Sequence, residues 1–430
     1  MGGPDPASRT RAWVFVAIWV ALSLFVVLRA GGRDRGVISD HREFGRRLLS
    51  GEDLYAPYLE DKPLHPVYPP SFGLLTAPFA KMDERSARYA WAALQVAAIG
   101  VVLMVLGEAL ARHAPDLLAH RQALLLLTVA VTGRYILRDT HGGGGNLVNL
   151  AFALAAWQAS QSRRDTLAAV LLGFSLATKP TTAILLPVLA VIGHVRLAIG
   201  SLCAAVAFLG VSLWIHGHGL APFERWAEGA LAYGANDDLF APPHLGLPPF
   251  TWMNQCLRCM VVRYLGTVPE PFASQVPGFV QGVGLPDHVT AWIARVLSLG
   301  VLVLTLFRGW RARATAVGRD LAVVSALAAG TLLSPISWKA HHVALIPAVF
   351  ALCCAAWRNR PRARVASTLF FVTCSAGGGD LVGDAAKQWE QSSYLATLGA
   401  IGLWWWSTGL AAATHRPRPI HDLEVCDRAQ

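Results

Sequence analysis

The chain has 430 residues, of which 54% are hydrophobic and only 15% are charged, and its mean hydropathy is +0.43. Soluble domains carry about 25% charged residues, so this composition excludes a soluble globular protein and predicts a polytopic membrane protein. The formal net charge of +10 is concentrated between the apolar runs, where basic residues orient membrane helices. The sequence contains neither a nucleic-acid-binding motif nor a basic, aromatic platform, so we expect no nucleic-acid partner.

The first apolar run, residues 13–28, contains no charged residue and leads directly into an arginine-rich stretch. It lacks the small-residue cleavage site of a secretory signal peptide. We expect it to remain as a signal anchor that crosses the membrane.

Apolar runs of helix length recur along the chain and give twelve candidate spans in all. Several are shorter than the roughly 20 residues of a straight span, so some are expected to be half-helices or helices buried inside the bundle. The predicted fold class is therefore an all-α, polytopic membrane protein. The twelve runs are residues 13–28, 88–111, 122–137, 146–160, 166–177, 181–193, 197–215, 289–307, 320–334, 343–357, 365–375 and 393–411.

The arginines predict the orientation of these spans. If the N-terminus is cytoplasmic, the connections on that side contain 18 arginines, whereas the short connections on the opposite side contain five basic residues. The positive-inside rule then places both termini in the cytoplasm, including a tail at 412–430. Two long connections, 29–87 and 216–288, lie outside, and residues 1–430 are expected to form one integral membrane domain.

Both long connections are expected to cover the outer face rather than to form flexible tails. The first contains a predicted amphipathic helix (41–49), a proline-rich passage and a short apolar segment (71–80). The second is rich in Pro, Gly and aromatic residues and contains a predicted short helix at 251–264. Such amphipathic segments lie in the plane of a membrane surface.

Asp40 follows the first span within the sequence SDHRE and has two interpretations. As the N-cap of helix 41–49, with Glu43 at the third helical position, it would only satisfy backbone N–H groups. As a carboxylate just beyond the membrane surface, it would be placed for an acid–base step. The local sequence alone favours the cap.

The outer ends of the later spans concentrate basic side chains on one face. A single arginine or lysine at such a rim usually extends to phospholipid, but a group of them beside a carboxylate fits an anionic lipid head group. The group comprises Arg134, Arg138, His141, Lys179, Lys339, His341 and His342.

Two short motifs resemble metal sites, but we expect neither to bind metal. Cys256 and Cys259 form a single CxxC without a second CxxC or a pair of histidines. They are expected to be either two buried small residues or an exported disulfide. Asp237 and Asp238 resemble the DxD motif of nucleotide-sugar enzymes, but the chain has no soluble nucleotide-binding domain, so a loop turn is expected.

Five motifs follow one another along the chain. The first begins at Asp40 with D-x(3)-(aromatic)-x(4)-L-x-G-x-D-x-Y and continues with YPPSFGLLTAPFA. Next come a glycine-rich turn leading to Asn146 and Asn149, then GFSLATKPTTAILLP, WMNQCLRCMVVRYL and LLSPISWKAHHVALIPAVFAL. Together, over about residues 36–360, they resemble glycosyltransferase family 87, whose Asn-Gln-Ser element here carries Cys256 in place of serine.

This resemblance implies a GT-C fold and an inverting sugar transfer, most often of mannose, from a polyprenyl-phosphate donor without a cofactor. The best-known members of the family are mycobacterial α-1,2-mannosyltransferases, and a related member transfers arabinofuranose. The implied partners are the donor, a glycolipid or cell-envelope glycan acceptor, and the lipids of the bacterial plasma membrane, with the active site on the extracytoplasmic face. Gly144-Gly145 stands where the family usually has Gly-Gln, which leaves the donor sugar open.

The resemblance also implies roles for individual residues. Asp40 becomes the favoured general base, which removes the proton of the acceptor hydroxyl. Cations would stabilise the departing polyprenyl phosphate, and polar side chains would bind the substrates. The phosphate-binding set is Lys179, Arg134, Arg138 and His342, with His341 as the alternative to His342, and the substrate-binding set is Tyr68, Asn146, Asn254 and Gln255.

Other functions stay open. A transporter or flippase of a lipid-linked substrate would place ionisable residues near the bilayer midplane and show repeat symmetry, whereas here the midplane positions are almost wholly apolar and no repeat is visible. A glycan polymerase or ligase would use a polyprenyl-diphosphate donor. A purely structural membrane subunit is the weakest alternative.

Overall fold

The structure, a computed structural model, describes residues 6–33, 36–59, 62–63, 68–142, 144–235, 239–241, 248–358, 360–371 and 379–413. The Asp237–Asp238 motif and most of the tail at 412–430 lie outside these ranges.

The described residues fold almost entirely into α-helices, with one short antiparallel ribbon formed by β1 (Pro57–Leu59) and β2 (Lys62–Pro63). Short 3₁₀ turns occupy Pro115–His120, Pro180–Thr182 and Lys339–Leu345. The helices are α1 (Pro6–Gly31), α2 (Ile38–Ser50), α3 (Phe72–Ala80), α4 (Glu84–His113), α5 (Arg121–Gly142), α6 (Asn146–Gln161), α7 (Asp165–Thr178), α8 (Leu185–Val191), α9 (Val195–His216), α10 (Ala221–Ala235), α11 (Leu257–Leu265), α12 (Glu270–Ala273), α13 (Asp287–Ala312), α14 (Ala316–Leu333), α15 (Ile346–Trp357), α16 (Pro361–Phe370), α17 (Gly379–Ser392) and α18 (Leu395–Ala413).

Within the described ranges, six helical stretches are long and apolar enough to cross a membrane, which confirms a polytopic membrane protein. A seventh crossing would be formed by Asp165–Thr178 and Pro180–Val191, which are bent by 119° at the break between them. Each of the twelve apolar runs overlaps a helix, but twelve crossings stay a prediction. The six stretches are Trp13–Gly31, Glu84–His113, Val195–His216, Asp287–Ala312, Ala316–Leu333 and Lys339–Trp357.

α6 is a short apolar run that lies inside the bundle, as expected for some of these runs. Twelve of its 16 residues are buried, and it packs mainly against α4 and α7. By contrast, only 11% of the apolar stretch of α1 is buried, and its contacts are with α4 and α5. The bundle therefore has an enclosed centre and a largely exposed first helix.

α2 begins earlier than the sequence predicts, and this changes the position of Asp40. Val37 is the N-cap, and Asp40 is the third helical residue, so the prediction of Asp40 as the N-cap is wrong. Two tertiary contacts explain the earlier start: Ile38 is buried in an apolar cluster with Trp91, and the Val37 N–H donates to the Gly142 carbonyl at 3.1 Å. Neither partner is near α2 in sequence.

The second long connection forms a small apolar core of its own around Phe250 and Trp252. The predicted helix at 251–264 is shorter, because α11 begins only at Leu257. Cys256 and Cys259 are buried in this core with free thiols, in agreement with the interpretation as buried small residues.

Candidate active site

A cavity of about 540 Å³ lies where the start of α2, the end of α5, the break after α7 and the turn before α15 meet. Aromatic side chains that the sequence did not single out, Trp226, Tyr233 and Trp338, form part of its wall. Five residues of the predicted site also line it. They are Tyr68, Arg138, Asn146, Lys179 and His341.

Lys179 stands in the break between α7 and the Pro180–Thr182 turn. Its backbone is extended (φ −153°, ψ 96°), as the ring of a following proline requires. The Asn149 side chain fixes this break by donating to the Lys179 carbonyl at 3.2 Å and to the Thr181 hydroxyl at 3.1 Å. The Lys179 side chain is only 7% exposed, and its Nζ donates to the Gly144 carbonyl at 2.9 Å. A buried ammonium group is thus held on the cavity wall.

Asp139 is a buried carboxylate that no motif in the sequence indicates. It accepts hydrogen bonds from the Leu147 N–H at 2.8 Å and the Asn146 side-chain amide at 2.6 Å, and so satisfies N–H groups at the start of α6. Gly144 makes this approach possible, because a Cβ there would lie 2.6 Å from the Asp139 Oδ1. The Lys179 ammonium is close enough to Asp139 for electrostatic attraction, which offsets part of the cost of burying both charges.

Tyr68 connects the lysine to the carboxylates. Its ring stacks on Phe72 with centroids 4.1 Å apart, and the Lys179 Nζ lies 5.2 Å from its centroid, within the range of a cation–π interaction. Burial, followed by the negative charges of Asp139 and Asp40, raises the pKa of Tyr68. The Tyr68 hydroxyl therefore stays protonated at neutral pH and can donate a hydrogen bond.

Asp40 lies beside the cavity rather than in its wall. The residues just before α2, Gly36 and Val37, line the cavity, and the Asp40 side chain is partly buried in the first turn. Its charge acts on the Tyr68 hydroxyl. The predicted general base is thus adjacent to a residue that lines the cavity.

The two adjacent histidines occupy different environments. The His341 Nδ1 accepts a hydrogen bond from the Trp338 N–H at 3.1 Å, so in the neutral ring Nε2 carries the proton, and His341 lines the cavity. His342 is fully buried against Tyr135, with ring centroids 5.2 Å apart. Of the two histidines, the fold brings His341 to the cavity. The sequence predicts His341 only as the alternative to His342.

Three other predicted residues lie away from the cavity wall. Arg134 forms a salt bridge with Glu390 at 3.0 Å, and Glu390 also pairs with Lys339. Asn254 accepts from the Ser337 N–H at 2.8 Å, and Gln255 donates its backbone N–H to the Ser337 carbonyl at 2.7 Å. Asn254 and Gln255 therefore fix the 334–338 loop, which contributes lining residues.

A family model described as glycosyltransferase family 87 matches residues 67–335, more than half of the chain. The chain belongs to glycosyltransferase family 87. It is also 28% identical over 314 residues to a Mycobacterium tuberculosis (strain CDC 1551 / Oshkosh) protein named polyprenol-phosphate-mannose-dependent alpha-(1-2)-phosphatidylinositol pentamannoside mannosyltransferase. The alignment covers 73% of this chain and 64% of the relative, less than two thirds of its length. No solved structure matches the chain.

The family 87 match includes most of the cavity residues of the predicted site. Tyr68, Arg138, Asn146 and Lys179 fall within it, whereas Asp40 precedes it and His341 follows it.

Within the described ranges of this family 87 chain, no three His, Cys, Asp or Glu side chains are grouped so that they could hold a metal ion.

Proposed function

We propose that this family 87 protein transfers a hexosyl residue, mannose in the first instance, from a polyprenyl-phosphate donor to a glycolipid or cell-envelope glycan acceptor, with inversion at the anomeric carbon. The observation that carries the proposal is the shared cavity, where the buried ammonium of Lys179 stands beside the segment that presents Asp40. The name of the mycobacterial relative, which specifies polyprenol-phosphate-mannose, supports the choice of donor.

The donor phosphate would bind at the cationic side of the cavity. Lys179 donates one bond to Gly144 and has two further N–H groups, Arg138 is exposed on the same wall, and the His341 Nε2–H completes a set of donors. As the bond between the anomeric carbon and the phosphate oxygen breaks, the phosphate leaves with the electron pair. Fixed cations in a cavity that excludes water stabilise this developing charge.

The acceptor would enter from the side of α2. Asp40 takes the proton from its hydroxyl as the oxygen forms a bond to the anomeric carbon, on the face opposite the leaving phosphate. General-base catalysis of this kind contributes about 10²–10⁴-fold to the rate. Tyr68, whose hydroxyl stays protonated, and Asn146 are suited to hydrogen-bond the sugar between the two centres.

The aromatic lining supports a carbohydrate substrate. Trp226, Tyr233 and Trp338 provide flat apolar surfaces around the polar groups, and Tyr and Trp combine such a surface with a hydrogen-bonding tip.

We propose a GT-C architecture in one integral domain, oriented in the bacterial plasma membrane with cytoplasmic termini and with connections 29–87 and 216–288 outside.

The test uses the purified full chain in detergent, incubated with labelled polyprenyl-phosphate mannose and a bacterial lipid extract. We expect a labelled glycolipid or glycan product that wild type forms and Asp40→Asn does not. Transfer from a nucleotide sugar or a polyprenyl-diphosphate sugar, but not from the monophosphate, would contradict the proposed donor. Movement of labelled donor across liposomes without any product would indicate a flippase instead.

A further inference from the structure

A second cavity, about 520 Å³ in volume, lies between α1, α4 and α5. Most of its wall is apolar, with Phe25, Leu103 and Leu137 among the lining side chains, and Arg121 and Gln122 stand at one end, where α5 begins. This cavity is called the α1–α5 groove. It shares no lining residue with the candidate active site.

Two glycines keep the α1–α5 groove open. Gly100 of α4 and Gly133 of α5 both line it, and a Cβ added to either would meet no heavy atom within 4 Å. The helices therefore do not approach each other at these glycines, as they do where glycines serve close packing. The space is wide enough for an additional apolar chain.

The cation at the end of the groove has no carboxylate partner within the described part of the chain. The Arg121 Nε is buried without a hydrogen-bond partner, and its guanidinium lies on Gly107, where a Cβ would be 2.5 Å from Nε. By contrast, Arg358, which follows α15, pairs with Asp116. A guanidinium held in this way favours an anion.

The Arg121 end of the groove and the candidate active site lie at opposite ends of α5. α5 contributes Arg121 to one end of the groove, and Arg138 and Gly142 to the active-site cavity. From Arg121 to Leu137 the helix rises about 24 Å, most of a hydrocarbon core of about 30 Å. A donor whose phosphate occupies the active site therefore cannot also place that phosphate on Arg121.

We propose that the α1–α5 groove binds an anionic phospholipid, with its phosphate on Arg121 and an acyl chain along the apolar wall toward Leu137. Basic pockets between membrane helices are suited to anionic lipid head groups. The bound lipid would also fill the space between α4, α5 and the largely exposed α1. It would act as a fixed part of the bundle rather than as a substrate.

The test is native mass spectrometry of the full chain in detergent, titrated with phosphatidylglycerol and with phosphatidylcholine of the same acyl chains. Arg121→Gln should weaken phosphatidylglycerol binding about fivefold, the effect expected of one cation near a membrane surface. Gly133→Leu should also weaken phosphatidylglycerol binding, because the added side chain fills the groove. If Arg121→Gln does not fold, Gly133→Leu alone tests whether the lipid binds in the groove.

Matched controls exist for both changes. Arg311 lies near the end of α13, and α14 begins soon after it, at Ala316. Asp320, in the second turn of α14, contacts His113 at the end of α4 at 2.7 Å. Arg311→Gln therefore removes a cation at the same end of the bundle. Gly210→Leu adds the same side chain to α9, where a Cβ also meets nothing within 4 Å. Both controls should bind phosphatidylglycerol as wild type does.

Three results would overturn the proposal. Equal binding of the two phospholipids would mean that Arg121 selects no anion. Unchanged binding in both Arg121→Gln and Gly133→Leu would place the lipid elsewhere. Displacement of phosphatidylglycerol by a polyprenyl phosphate would assign the groove to the donor chain.

Discussion

Asp40 occupies the first turn of α2, where a negative side chain interacts favourably with the helix dipole, typically by about 0.3–1 kcal/mol. Asp40→Asn keeps the size of the side chain but removes both the charge and the proposed base. We expect the melting temperature to change little and turnover to fall by roughly 10²-fold or more. Activity within a few-fold of wild type, measured with the labelled donor, would exclude Asp40 as the base.

Lys179 has a proposed role in donor binding and a structural role beside Asp139, and a single substitution does not separate the two. Lys179→Ala removes a cation from the cavity and leaves Asp139 buried without its counter-charge, which typically costs about 3–5 kcal/mol. Adding Asp139→Asn removes the second charge. We expect the double variant to recover thermal stability but not affinity for the donor, as judged by melting temperature and KM. Recovery of both would make Lys179 a structural residue only.

Substitutions of the consecutive residues His341 and His342 can be compared with each other. His341→Asn retains an acceptor near the position of Nδ1 for the Trp338 N–H but removes the Nε2–H that faces the cavity. We expect it to fold normally and to raise KM for the donor or lower turnover about tenfold, because one charge-assisted hydrogen bond contributes about 1.5–3 kcal/mol.

His342→Met serves as the comparison, since this side chain is buried against Tyr135 outside the cavity wall. It should change the melting temperature more than the kinetics. The reverse pattern, with His342→Met inactive and His341→Asn unaffected, would restore His342 as the phosphate ligand.

At the scale of the element, α7 and α9 form a contact that depends on Gly173. A Cβ there would lie 2.4 Å from the Cβ of Ala204 and 2.9 Å from the carbonyl of Ser201. Gly173→Leu should therefore destabilise the protein by about 1–3 kcal/mol and displace the break that carries Lys179. Thermal unfolding measures this, with Gly210→Leu, which meets no neighbour, as the control. A melting temperature equal to that of the control would show that the helices can separate at no cost.

The sequence predicts the helices themselves well, because an apolar run in lipid has to satisfy its backbone as a helix. It does not predict where they meet. The start of α2 depends on the burial of Ile38 with Trp91, and the loop at 334–338 depends on Asn254, about 80 residues earlier. Asp139 could not be predicted as a site residue, because a single acidic residue between Arg138 and Thr140 forms no local motif. Only the fold places it beside Lys179.

At the scale of the whole molecule, the orientation predicted from the arginines can be tested with single cysteines and a membrane-impermeant reagent. Ser50 is exposed at the end of α2, and Ser162 is exposed after α6. With the native cysteines replaced, intact cells should show labelling at Ser50→Cys but not at Ser162→Cys, and permeabilised cells should show both. Labelling of intact cells only at position 162 would invert the topology.

α5 and α6 are separated by three residues, and the carboxylate of Asp139, near the end of α5, binds the start of α6. At 16 residues, α6 is too short to span a bilayer alone, and it begins with a polar asparagine. The ribosome delivers α5 first, so the two helices are expected to leave the translocon as one paired hairpin, with the Asp139 bonds closing as α6 emerges. One wall of the cavity would then be assembled during biogenesis while Lys179, which lies 18 residues after the end of α6, is still inside the ribosome.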